Sequence, residues 1–203
     1  MKRGLVIVVS TLLMSIVLFS GCNETTTEKL VTTPLIALAL SLDDLPEGYV
    51  KWSEEQNYSD EAIKGINPAE FYFVTFAFGE IDMNHSFPAI AFYMYKFNSS
   101  SDAHIVTQNI SEQTFDSLDD GLNRTTPQNI EQIGDESIYE LFEGNMGEYY
   151  SYINATWSFI YFRIKNVAVG LLLEGIAEWD IDYVNLTLSY AKIVENRINL
   201  SLN

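Results

Sequence analysis

Two histidines, one cysteine and 28 carboxylates are the groups with which this 203-residue chain could do polar chemistry. His85 falls between two apolar runs and His104 near the start of an expected helix; neither stands at a metal-ligand spacing from another His or Cys. No G-x-S-x-G, H-E-x-x-H or phosphate-binding glycine loop occurs, so a Ser–His–acid hydrolase would have to gather its partners from distant parts of the chain. Asp119-Asp120 and Asp180-x-Asp182 offer oxygen ligands for calcium, but the EF-hand spacing and glycine are missing. Asp180 and Asp182 read more simply as caps for a following helix, where carboxylates suit the N-terminal dipole. No metal or cofactor is expected. Tyr149, Tyr150, Tyr152 and Trp157 form an aromatic patch able to stack on a sugar or an apolar ligand, although alternate residues of a core-packed strand would give the same pattern. Arg163 is the one charge inside an apolar strand, and either pairs with a carboxylate such as Asp135 or Glu174 or guards a cleft for an anion.

The cysteine has clearer chemistry. Lys2 and Arg3 open the chain, residues 5–19 carry no charge, and Ser20-Gly21-Cys22 follows. A positive start, an apolar middle and small residues before a cut are the layout of a secretory signal. An uncharged run of fifteen residues is shorter than the roughly 20 that a spanning helix needs. A thiol directly behind two small residues can take a thioether-linked lipid, and Leu18-Phe19-Ser20-Gly21-Cys22 resembles a lipobox, with Phe19 where Leu is usual. Cys22 is therefore expected to be the lipid attachment point; the alternative keeps 5–19 as an uncleaved anchor. With a single cysteine no intrachain disulfide can form, so the core alone must hold the domain.

Asn-X-Ser/Thr occurs nine times, at Asn23, Asn57, Asn84, Asn98, Asn109, Asn123, Asn154, Asn185 and Asn199. Fifteen Asn and 30 Ser or Thr would give about two by chance. The excess points to an N-glycosylated surface, or to the composition of an Asn-rich one. Lipobox and sequons together suggest an archaeal cell envelope.

The net charge of −17 falls by two, to −19, once Lys2 and Arg3 leave with the leader. Such a field repels phosphate backbones, so nucleic acid is not a partner, and membrane contact must come from the anchor. Hydrophobic residues at 47% supply a real core.

Residues 1–21 thus read as a signal peptide, 22–34 as a Thr-rich tether ending at Pro34, and 35–203 as one domain. Within it, 35–42 suggests a helical turn or two, 71–78 and 88–97 are aromatic-rich strands, and the Asn98–Asp102 cluster caps a helix running to about 118. Residues 119–132 read as loop. Strands follow at 138–143, 157–164 and 167–174, the last two joined by Lys165-Asn166, with Asn available for positive φ. A helix over 181–199 puts Ile181, Val184, Leu188, Ala191 and Ile198 on one face and Asn185, Ser189, Lys192, Asn196 and Asn199 on the other. The expectation is an α+β fold: a largely antiparallel, twisted sheet with its helices packed on one face.

Asp44-Leu45-Pro46-Glu47-Gly48-Tyr49, Gly134-Asp135-Glu136 before a strand, Phe162-Arg163-Ile164-Lys165-Asn166-Val167 across a hairpin and the closing helix occur in that order. This arrangement resembles exported lipoprotein and sensor-type domains of actinobacteria, including the extracellular domain of a membrane serine/threonine kinase. The resemblance implies a twisted antiparallel sheet backed by helices, with a cleft for a ligand, and binding in place of catalysis. Expected partners are the membrane, through the lipid, and an envelope protein or small ligand. An envelope hydrolase using His85 or His104, and a purely structural envelope component, are the alternatives.

Overall fold

The computed structural model describes residues 28–56, 63, 65–79, 89–118, 122–145, 154–176 and 180–203, with the backbone alone over 113–118. Seven strands form one antiparallel sheet: β1 (Tyr49–Gln56), β2 (Glu70–Phe78), β3 (Ala89–Lys96), β4 (Leu122–Thr125), β5 (Glu136–Asn145), β6 (Asn154–Ile164) and β7 (Val167–Ile176). Their spatial order is β1-β2-β3-β7-β6-β5-β4. The chain thus builds one meander, crosses the sheet in helix α1 (Ser100–Leu118), and builds a second meander that returns to pair β7 with β3. Helix α2 (Tyr183–Ser201) closes the domain, and two 3-10 turns, Leu35–Ala37 and Leu42–Asp44, precede β1.

Cross-strand partners share a face, so the register sorts the core. Val74, Phe76, Ile90, Phe92, Met94, Ile160, Phe162 and Leu173 fill one face, each fully buried. Against them pack the N-terminal 3-10 turns, through Leu35 and Leu40, and α2, through Tyr183, Tyr190, Ala191, Val194 and Ile198. Helix α1 lies on the opposite face, where Ala103 and Val106 meet Phe97 and Ala168. The α+β class and the antiparallel sheet are as expected; the placement of both helices on one face is not. β6 and β7 are buried on both sides and so lack the polar alternation that would show a solvent face. The polar face of α2 is read correctly at Asn185, Ser189, Asn196 and Asn199, which are exposed. Its buried stripe is rotated to take in Tyr183, Thr187, Tyr190 and Val194, while Val184 and Leu188 sit at the rim. β4, Leu122 and three polar residues along the edge of β5, falls inside the stretch read as loop.

The packed chain begins before Pro34. Val31 is 2% exposed, and both its peptide groups are held by the side chain of Asn166. Val31 N donates to Asn166 Oδ1 at 2.7 Å, and Asn166 Nδ2 donates to Val31 O at 3.3 Å and to Phe97 O at 2.7 Å. The left-handed residue of the β6–β7 turn is accordingly Lys165, at φ +53°, and not the expected Asn166. Further along, Leu35 N donates to Glu70 at 2.7 Å and Lys96 reaches Thr33 O at 3.0 Å. Arg197 of α2 grips Asp44 with two bonds, 2.9 and 2.6 Å, and Ala39 O with a third at 2.6 Å. Those contacts carry the Asp44–Gly48 turn onto the closing helix.

Replacing Asn166 by Ala leaves Val31 N and Phe97 O buried without their side-chain partner. At about 1–3 kcal/mol for each orphaned group, a loss of about 3 kcal/mol is expected. Urea unfolding of residues 28–203 reads it as a lowered midpoint at unchanged slope; a midpoint equal to the parent's would mean that the amide is not structural.

Candidate functional site

The face under α1 is the one with unusual chemistry. Its register rows run across the strands: Glu55–Phe73–Tyr93–Gly170–Tyr161–Ile138 and, one row along, Phe71–Tyr95–Ala168–Arg163–Glu136. The rings form a continuous ladder. Phe71 to Tyr95 is 4.9 Å between centroids, Tyr95 to Tyr93 5.9 Å, Tyr93 to Tyr161 6.0 Å, Tyr161 to Phe159 6.4 Å and Phe159 to Phe142 5.6 Å. The ladder crosses β7 because Gly170 has no side chain: a Cβ there would lie 2.1 Å from the Tyr93 ring. α1 covers the β6–β7 half of this face through Ala103, Val106 and Ile110. On the β2–β3 half, Phe71, Phe73, Thr75, Ala91, Tyr93 and Tyr95 stay half-buried. The outcome is an aromatic shelf beside a helix. Burial, with Tyr161 nearby, pushes the Tyr95 hydroxyl up to about 12, so it remains a neutral hydrogen-bond donor.

Charge gathers at the two ends of the face. At the β6–β7 hairpin end, Arg163 Nε donates to Glu136 at 2.6 Å and its Nη1 to Asp135 at 3.3 Å and Lys165 O at 3.0 Å. His104, from the second turn of α1, shares a hydrogen bond of 2.7 Å with the same Glu136. A His held by a carboxylate is half of a hydrolytic triad, but among the described residues no hydroxyl bonds to the imidazole. Toward the other end Glu174 pairs across the sheet with Trp157. Burial pushes the Glu174 carboxyl above its ordinary value. The Trp157 indole N–H lies close enough to pull it partly back, yet short of a full hydrogen bond.

The residues singled out from sequence are distributed as follows. Cys22, Asn23, Asn57, Asn84, His85, Tyr149, Tyr150 and Tyr152 lie outside the described residues. Trp157 and Arg163 share this face of β6 but stand six residues apart, roughly 20 Å at strand rise, so they do not meet. Arg163 pairs with Glu136 and Asp135. Asp182 caps α2, accepting from Asn185 N at 3.0 Å. Asn98, Asn123, Asn154, Asn185 and Asn199 are exposed. Asn109 is the exception: it is 8% exposed, its amide donates to Ile105 O at 2.6 Å, and its partner Ser111 is 2% exposed, so the folded domain gives a glycan no room there. The shelf residues Phe71, Tyr93 and Tyr95 were legible only as strand; their joint exposure depends on where α1 crosses. Hollows of about 320 and 420 Å³ flank residues 126–132, the larger reaching Val184, Leu188 and Lys192 of α2. Residues of that loop line both, with Tyr139 in the smaller and no Phe in either, in place of the expected groove of Tyr and Phe.

No family model matches this chain, and no curated protein matches it. One solved structure does. The fold is similar to the extracellular domain of PknH from Mycobacterium tuberculosis. The TM-score is 0.59 over 85% of this chain and 100% of that one, at 9% sequence identity. At that identity the likeness is one of fold, and it bears out the resemblance read from the turn, strand-entry and hairpin motifs.

The buried carboxyl makes a pH prediction. A carboxyl raised on folding holds its proton more tightly in the native chain. The stability it lends is full below the ordinary value of 4.5 and is lost as pH climbs through the raised one. Glu174→Gln should therefore be more stable than the parent near neutrality, with the difference vanishing on acidification. Paired urea titrations of the two chains across pH measure it, and a constant difference would show that Glu174 ionises as freely folded as unfolded.

Proposed function

We propose that this protein is an exported, lipid-anchored binding module of sensor type, tethered through Cys22 to the outer face of the cytoplasmic membrane. The observation that carries the binding reading is the aromatic shelf of β2 and β3 beside α1. It offers half-buried rings and a neutral tyrosine hydroxyl, the mix that takes up sugars and flat apolar ligands. Export is supported by the apolar leader ahead of Ser20-Gly21-Cys22, and by the likeness of the fold to a domain that is extracellular in its own protein. Among the described residues no helix is long and apolar enough to cross a bilayer, which leaves attachment to the N-terminal segment. The sequons add a glycosylated, archaeal-type envelope to this reading. Tyr149, Tyr150, Tyr152, Trp157 and Arg163 remain candidate ligand contacts, and the partner is a small ligand or an envelope protein. One observation favours a second reading: the His104–Glu136 pair would serve an envelope hydrolase if a hydroxyl came to the free imidazole nitrogen.

Two measurements test the proposal. The mass of the native N-terminus is expected to show Cys22 as the first residue with added acyl chains, and Cys22→Ser should move the protein from membranes to the medium. An intact Met1 on native material defeats the lipid anchor. For binding, a panel of saccharides and apolar ring compounds is screened by thermal shift. A ligand present at 100 times its Kd adds about 2.7 kcal/mol. Phe73→Ala, on the shelf, should erase the shift of any active compound while Ile105→Ala, exposed on α1, retains it. A shift that survives Phe73→Ala places binding elsewhere.

A further inference from the structure

We infer that the β6–β7 hairpin end of the sheet faces the membrane and that the opposite end is held outward to partners; the inference rests on attachment through the N-terminus, by lipid or by an uncleaved anchor. The Asn166 amide decides it. It clamps Val31, so the described chain enters the fold at the hairpin tip. Val31 is nine residues past Cys22. Nine residues span at most about 30 Å extended, and a flexible chain of that length averages about 17 Å. The strands beside the clamp run 10 and 11 residues, so their far ends stand about 35 Å beyond it. From the lipid even the extended tether is shorter than the body, and from an uncleaved anchor ending at residue 19 a flexible tether to Val31 averages about 19 Å, so either attachment keeps the clamped end nearer the bilayer. The far end, where Phe78, Ala89, Asn145, Asn154 and Ile176 terminate their strands, points away.

Charge favours the same orientation. In a chain of net −17, three described acids at the hairpin end have cations beside them: Glu70 has Lys96, Glu136 has Arg163, and Asp135 has both Arg163 and Lys165. The end that approaches the headgroups is thus one where the acidity of the chain is locally offset. The shelf runs along the strand axis between the two ends, so a ligand reaches it from the side.

The test uses the full chain in phosphatidylcholine vesicles that carry an energy acceptor on the headgroup. A donor dye goes on Asn98→Cys, one residue beyond Phe97 at the hairpin end, or on Asn123→Cys in β4 at the far end. Both positions are exposed. Transfer should be several-fold greater from residue 98; equal or reversed transfer overturns the orientation. The parent chain separates this from the anchor. If it floats with vesicles and takes no thiol dye, Cys22 is acylated. If it floats and takes dye, the uncleaved anchor is in place, and the same pair measured in a Cys22→Ser background decides the orientation. A parent that does not float defeats N-terminal attachment and the orientation with it.

Discussion

The pairing of β3 with β7 is the constraint on which the architecture depends. It joins two meanders through their last strands, which are separated in the chain by α1, β4, β5 and β6, so a long loop must close before the seam gains any contact. The seam is made affordable by asymmetry across its faces. On one side Ile90, Phe92 and Met94 meet Val169, Leu171 and Leu173 in the main core. On the other, Ala168 and Gly170 leave β7 nearly bare, so Tyr93 can lie flat across it and reach Tyr161. A bulky residue at position 170 would lift that ring and open the sheet at its middle. At its end the seam is sealed by Asn166, whose backbone carbonyl takes Phe97 N at 2.8 Å and whose side chain takes Phe97 O.

Without an intrachain disulfide, the domain ties its N-terminal segment down with side chains. Asn166 substitutes for a strand in bonding Val31, and the bidentate Arg197–Asp44 pair fixes the turn ahead of β1. Burial pushes the Asp44 carboxyl up, but the bonds from Arg197 and Ser41 outweigh it and hold it below its usual range. Glu174, similarly removed from water but given only a neutral indole, goes the other way. Within the α2 contact buried hydroxyls are partnered, Tyr190 excepted. Ser158 bonds Tyr139 and Thr187, and Thr187 donates to Tyr183 O, which lets hydroxyls sit inside the α2 contact.

What could be read from sequence follows from how local each feature is. Aromatic and β-branched runs gave β2 and β3 to within one residue at each end, and β6 and β7 with β6 begun three residues late and β7 ended two early, while the Asp182 cap set the start of α2. The side of the sheet that each helix takes was hidden, because strands apolar on both faces carry no parity. The turn residue was misassigned for a related reason: turn propensity favours Asn in a left-handed site, but the partners that claim Asn166 lie 69 and 135 residues away. Arg163 had several acids to choose from; register puts Glu136 directly opposite and leaves Glu174 level with Trp157, three same-face rows away. Asn109 satisfied a surface motif while sitting on the buried side of α1, a distinction that only packing makes.

The polar cluster at the head of α1 has the geometry of a structural fastening. A triad acid serves by holding an imidazole so that its other nitrogen meets a nucleophile. Here Glu136 is already engaged by the Arg163 guanidinium, and the imidazole it receives is more than half exposed, with 54% of its side-chain surface open. The arrangement is a fastening. Together with Ser100 on Glu28 and the Ser99 cap on Asp102 N, it fixes the first turns of α1 over β6 and β7. With that end of the helix fixed, its line across the sheet is set, and the rings of β2 and β3 are left beside it in place of beneath it. The side chains of His104, Glu136 and Arg163 thus set the width of the shelf.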